Sequence, residues 1–175
     1  FDYKQYDEKS TAICKKHGEF LASAHSLISS NGCPVCAHRG KTSRIETKWL
    51  NLLGVREEFR NTLVHIGGKC RFPDGINPER KVIYEMLGDI YHGNPDLDPN
   101  KFHYKSKKTY SELYESTRKR LLSFLDEGYE IYYIWEKDFR SYLKSKSVVF
   151  PLIYKYTGGD ILTYKMVLDI YRNYG

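Results

Sequence analysis

Four side chains constrain the first forty residues more tightly than any other feature of the chain. Cys14, His17, Cys33 and Cys36 follow the spacing C-x2-H-x15-C-x2-C. Two close pairs separated by a loop suit tetrahedral zinc, because each pair sits on a tight turn that aims two donors at one point. Gly18 after the first pair, and Gly32 and Pro34 around the second, supply the turn chemistry. A Cys33–Cys36 disulfide is the competing reading. A reducing compartment disfavours it, and it leaves Cys14 and His17 without a role. His25 competes with His17, which has the two-residue spacing. Four protein donors leave no open position, so such a zinc holds structure and does no chemistry. Segments this short seldom fold without a staple of this kind. Cys70 has no partner by spacing and reads as a small core residue.

The 175 residues can bury one ordinary core beside such an appendage. A net charge of +6 favours an anionic partner such as nucleic acid. Its distribution is uneven: basic and acidic residues balance at 9 each over 41–100, whereas 14 basic face 9 acidic residues after position 100. Twelve of the 16 tyrosines also follow residue 100, where rings can stack on bases or fill a core. No apolar run approaches the ~20 residues that span a bilayer, and no signal-peptide pattern opens the chain. The expected compartment is the cytoplasm. A chain opening on Phe1 reads as a processed or excised piece of a longer protein.

Residues 71–95, RFPDGINPERKVIYEMLGDIYHGNP, carry the chemistry. A turn-rich start (Pro73, Gly75, Asn77, Pro78) precedes a short apolar strand from Lys81 to Leu87 and then a polar loop. Asp74, Glu85, Asp89 and His92 can each serve a metal or move a proton. Carboxylates on either side of one strand, with a histidine just past its end, suit metal-assisted attack on a phosphodiester. Magnesium is held through few carboxylates and keeps several waters, so Asp74 with one more oxygen ligand, such as Glu85, suffices. A neutral His92 can take a proton from water. The bland alternative makes His92 a surface histidine in a polar turn.

Upstream, Ser43 and Glu46 form a capping box, and Ile45, Trp49, Leu52 and Leu53 recur at helical spacing, predicting a helix from Arg44 that ends at Gly54. Glu46 is either the partner of that cap or a group projecting toward the site. Val55–Arg60 and Leu63–Cys70 read as short strands, with Gly67-Gly68 a turn or bulge. Downstream, Asp96–Lys108 is a polar, lysine-rich loop. Thr109 and Glu112 cap a second helix to about Glu127, with Leu113, Thr117, Leu121, Leu122 and Leu125 as its apolar stripe. Tyr129–Glu136 is the clearest strand, and a helix is expected near Tyr164–Tyr171.

Pro73-Asp74 with Glu85 after ten intervening residues matches the first two acids of a PD-(D/E)-x-K nuclease, but Leu87 stands where the lysine belongs. The set Asp74, Tyr84-Glu85, Gly88-Asp89-Ile90-Tyr91-His92-Gly93 and Ile134-Trp135-Glu136 resembles the very-short-patch repair endonucleases. It is similar also to their relatives among phage homing endonucleases with the motif EDxHD, which often carry a CxxHGEF…GCPxC module in front. The resemblance runs from about Ser43 to Asp138. It implies Glu46 as the first acid, Asp74 as the magnesium ligand, Glu85 at or beside the variable position, and His92 acting on the attacking water. Ile90 and Tyr91 match wedges near the DNA. The final acid is assigned to Asp98, with a position near Glu115–Thr117 as the alternative.

The resulting expectation is an α/β fold, a restriction-endonuclease-like mixed sheet flanked by helices behind a zinc ribbon. Its divisions are residues 1–40 (ribbon), 41–140 (endonuclease core) and 141–175 (basic, Tyr-rich extension). The expected activity is magnesium-dependent hydrolysis of double-stranded DNA of the homing type, in a phage-infected or bacterial cell. The rivals are a mismatch nickase or restriction enzyme, and a non-catalytic zinc-ribbon DNA-binding protein on a degenerate nuclease fold.

Overall fold

The apolar run Val82–Leu87 is interrupted by a single charge, Glu85, and it becomes the second strand of a four-stranded sheet. The computed structural model describes residues 8–15, 18–29, 32–38, 42–145 and 152–174. The chain divides into two units, Phe1–Lys41 and Thr42–Gly175. His17 lies outside the described residues.

In the first unit, strand β1 (Lys9–Cys14) pairs antiparallel with β2 (Gly18–Ser23), Cys14 standing opposite Gly18. Two short helices follow, α1 (Ala24–Ser29) and α2 (Pro34–His38). The Ser23 hydroxyl accepts from Ser26 N at 3.2 Å and so caps α1.

The second unit is a mixed α/β fold. Helix α3 (Arg44–Leu52) begins on the full capping box, with Ser43 and Glu46 each satisfying the other's amide. Its buried face is Trp49 and Leu50, and the Trp49 indole donates to Leu152 O at 2.9 Å. Val55–Arg60, read as a strand, instead carries a 3₁₀ turn at Glu57–Phe59. β3 (Val64–Ile66) and β4 (Lys69–Arg71) form a hairpin closed by Gly67 and Gly68, with φ of 52° and 71°. That is the left-handed backbone a two-residue hairpin turn requires. Cys70 is exposed on this hairpin and not in the core as expected. It stands opposite His65, and strand alternation puts both on the outer face while Ile66 turns inward.

The main sheet has the order β5–β6–β7–β8, from β5 (Gly75–Asn77), β6 (Val82–Leu87), β7 (Glu130–Trp135) and β8 (Tyr154–Tyr156). β6 and β7 are parallel, Glu85 opposite Tyr133 and Leu87 opposite Trp135. Parallel neighbours need a crossover, and α5 (Tyr110–Asp126) supplies it, opening on the Thr109–Glu112 capping box. Its buried residues are Thr117, Leu121 and Phe124, so the stripe lies slightly round from the leucines that suggested it. Glu136, read as the end of the strand, begins α6 (Glu136–Ser145), which buries Asp138 and Phe139. The segment read as an extension contributes edge strand β8, buried Ile161 and α7 (Tyr164–Tyr174) to this same unit. No described helix is long and apolar enough to cross a membrane.

Candidate functional site

The thiols of the first unit meet as their spacing demands. Sγ atoms of Cys14, Cys33 and Cys36 lie within 4.8 Å of one another, and those of Cys14 and Cys36 are 3.8 Å apart. A tetrahedral ion bound at about 2.3 Å to each sulfur would space thiolates by roughly 3.8 Å. A disulfide needs about 2.05 Å between sulfurs, far less than the 3.8 Å that separates Cys14 and Cys36. The Cys36 amide also donates to Cys33 Sγ at 3.3 Å, as expected where a turn points its sulfur back at its own backbone. The Cys33 hydrogen bond, with burial and Cys14 behind it, pushes the Cys36 thiol up to about 11. These three side chains could hold a metal ion such as zinc, which would have to displace their protons.

In the second unit the acids converge on β6. Asp74 immediately precedes β5, and its Oδ2 accepts from Met86 N at 2.7 Å, so a side chain continues the ladder where the strand stops. Glu85 is 1% exposed, and Arg120 Nη2 reaches both its Oε1 at 2.8 Å and Phe72 O at 3.1 Å. Glu46, in the first turn of α3, is held through Oε2 by Ser43 N at 3.3 Å. Its Oε1 is buried with no hydrogen-bond partner. The two readings of Glu46 are therefore compatible: one oxygen caps the helix and the other makes no full hydrogen bond, although the Asn61 side chain acts on the same carboxyl.

The electrostatics mark the same cluster. Burial pushes Glu85 up to about 8 against the pull of Arg120, and Asp74 and Glu46 add to the rise. Burial and the Asp74 charge push Glu46 up to about 7. Burial lifts Asp74 to about 6 against the Met86 amide and Arg120. Arg120 acts on Asp74 and Glu85 and Arg60 on Glu46, yet all three carboxyls stay raised, an imbalance that a bound cation would relieve.

His92 is placed by a helix and not by the expected loop. α4 (Asp89–His92) ends on Gly93, whose φ is 68°. A β-carbon at Gly93 would fall 2.1 Å from Tyr110 O and 2.5 Å from Tyr114 N, so α4 can pack on the start of α5 only with glycine there. This brings His92 Nδ1 to 3.1 Å from Thr117 Oγ1. Burial, reinforced by Arg120, pushes His92 down to about 4, so the ring is neutral near pH 7.

The remaining expected residues make contacts of their own. Asp89 accepts from the Asn94 amide and from Lys137 N, tying α4 to the start of α6. Asp98 is exposed and closes a turn by accepting from Asn100 N at 3.0 Å, while the acids that act on one another are Glu46, Asp74 and Glu85. Glu115 pairs with Arg118 at 3.5 Å; of the alternative stretch 115–117, the residue that meets His92 is Thr117. Arg120 was not singled out from the sequence. The signal was there: it lies three residues after Thr117 and four before Phe124, a lone cation on the buried stripe.

Residues 1–37 match a family model described as a protein of unknown function (DUF723). No curated protein and no solved structure matches the chain. The family match covers the thiol-bearing hairpin and stops before the unit that holds the carboxylates.

Proposed function

We propose that residues 42–175 form a magnesium-dependent endonuclease of restriction-endonuclease-like fold and homing type, hydrolysing double-stranded DNA, behind a structural zinc module. The supporting observation is the gathering of Glu46, Asp74 and Glu85 about β6, with Arg120 acting on Asp74, Glu85 and the neutral His92. Among the described residues only the thiols bring three metal-donor side chains within 4.8 Å of one another. The acids therefore suit a cation held by one or two carboxylates and by water, as magnesium is. Asp74 and Glu85, the two carboxyls on which Arg120 acts, are the ones that would hold it, with Glu46 acting on both from α3.

When bound, the ion neutralises charge developing on the phosphate and lowers the pKa of a ligated water. The chain's own part is proton transfer and positioning. The Thr117 hydroxyl carries one hydrogen and has two backbone carbonyls within reach, Leu113 O at 3.0 Å and His92 O at 3.2 Å. Donating to either, it can only accept from His92 Nδ1. The proton then sits on Nδ1, leaving the Nε2 lone pair to take a proton from the attacking water. Ile90 and Tyr91, 37% and 53% exposed on α4, are free to press against a duplex beside that ring. In the first unit we assign zinc to Cys14, Cys33 and Cys36, with His17 as fourth ligand.

Incubation of the full chain with supercoiled plasmid and Mg2+ tests the reading. Nicking or double cutting is expected, lost on adding EDTA and absent in Asp74→Ala, which still binds DNA. Full activity in Asp74→Ala refutes the assignment.

A further inference from the structure

Two helices of the second unit face each other across an open groove of about 470 Å³. From α3 it takes Arg44 and Lys48, and from α6 it takes Arg140 and Lys144, with Ile45 and Leu143 between them. Each helix thus offers two cations four residues apart. Like charges at that spacing repel along a helix. On α6 the Glu136–Arg140 pair and the last-turn place of Lys144 offset this. On α3 Arg44 stands in the first turn, where a cation is unfavourable, so helix stability does not explain the α3 pair. The single acid on the lining, Glu136, is held by Arg140, whose Nη2 lies 2.6 Å from its Oε1. Arg44, Lys48 and Lys144 form no ion pair among the described residues, and all are exposed.

The groove adjoins the acidic cluster. Ser43 and Ile45 line it, and Ser43 N holds Glu46. At its other side Glu136 follows the end of β7, and a β-carbon on Gly88, at the start of α4, would lie 3.7 Å from Glu136 Oε2. The lining thus includes the first turn of α3, which carries Glu46, and comes close to the start of α4, which carries His92.

We propose that this groove binds the phosphodiester backbone of double-stranded DNA, with Lys48 and Lys144 each contacting a phosphate. The inference rests on the endonuclease reading for its choice of duplex, but its test does not need cleavage. An open groove lined by four cations, three of them outside any ion pair among the described residues, and by the apolar Ile45 and Leu143 suits successive phosphates with their sugars better than a small isolated anion.

The experiment is fluorescence anisotropy of the full chain on a labelled duplex in EDTA, across a salt series. Each lost phosphate contact lowers the slope of log affinity against log salt by about 0.9, so Lys48→Ala/Lys144→Ala is expected to lower it by about 2. Glutamine at both positions, which keeps part of the stems, is expected to do the same, guarding against misfolding of the alanine pair. The control Lys69→Ala/Lys119→Ala removes equal charge elsewhere and is expected to change the slope far less. An unchanged slope in the groove variants, or an equal fall in the control, overturns the inference. Wild-type cleavage with that outcome leaves the endonuclease reading standing. Conversely, groove-dependent binding without Mg2+-dependent cleavage sinks the endonuclease reading and keeps the groove.

Discussion

His92 and Thr117, 25 residues apart, meet at 3.1 Å because Gly93 lets α4 press onto α5. In the proposed mechanism the threonine sets which ring nitrogen carries the proton. Thr117→Val keeps the shape and removes the hydroxyl, and is expected to lower single-turnover cleavage about 10- to 100-fold, as loss of an orienting partner does. Thr117→Ser should restore most of the rate, and DNA affinity should not move. His92→Ala should abolish cleavage with binding intact. Wild-type rates in Thr117→Val would show that the hydroxyl is not the positioning group.

Arg120 is the counterweight to a buried acid. Arg120→Met removes the guanidinium that donates to Glu85 Oε1 and Phe72 O, and the expected loss of stability is about 2–3 kcal/mol. Urea denaturation at pH 7 measures it. Adding Glu85→Met should recover part of the loss, since an apolar pair leaves no unsatisfied acceptor at position 85. A double variant weaker than wild type by the sum of the two single losses would mean the two side chains are energetically independent.

The thiol cluster predicts a stoichiometry. Elemental analysis of protein purified without chelator should find one zinc per chain, lost in Cys36→Ser and on treatment with a strong chelator. Because the metal-free Cys36 thiol is held up to about 11, zinc uptake should release protons and weaken as pH falls. Metal-free protein as purified would remove the zinc assignment.

Asp138 gives a pH dependence away from the chemistry. It is 6% exposed, its Oδ2 accepts from Tyr164 N at 2.8 Å, and burial pushes it up to about 6 from 3.8. A carboxyl raised on folding adds stability that is complete below its unfolded value and is lost as pH rises through the folded one. Asp138→Asn removes that loss while keeping an acceptor for Tyr164. Relative to wild type, the variant should therefore gain stability between pH 4 and 7, by up to about 3 kcal/mol. Melting curves at several pH values report it, and a difference that does not vary with pH would disprove it.

Where the sequence carried strong local signals the structure follows them. Both capping boxes open their helices, and the runs VIYEML and EIYYIW become adjacent strands. Three things escaped because they depend on partners distant in sequence. α6 lacks a cap signal and follows β7 without a turn, so Glu136 read as strand. β8 is three residues long and exists only by pairing with β7. Arg120 looked like one of three surface cations in RKR, and its function became visible only once α5 lay across β6 beside Glu85. Cys70 was misplaced for a related reason: a three-residue strand has too little pattern to show which face is inward.

The parallel pairing of β6 with β7 has a consequence for how the protein is made. A ribosome that has emitted residues up to Gly128 has delivered Glu46, Asp74, Glu85, His92, Thr117 and Arg120, every group given a part in the proposed reaction. It has not yet delivered Glu130–Trp135, the strand that flanks Glu85 on its parallel side. Until then β6 is an open edge, prone to pairing with other chains. The nascent chain then carries every side chain of the proposed site without the sheet that holds them together, so on the endonuclease reading any cleavage must wait until the last of the sheet has been made.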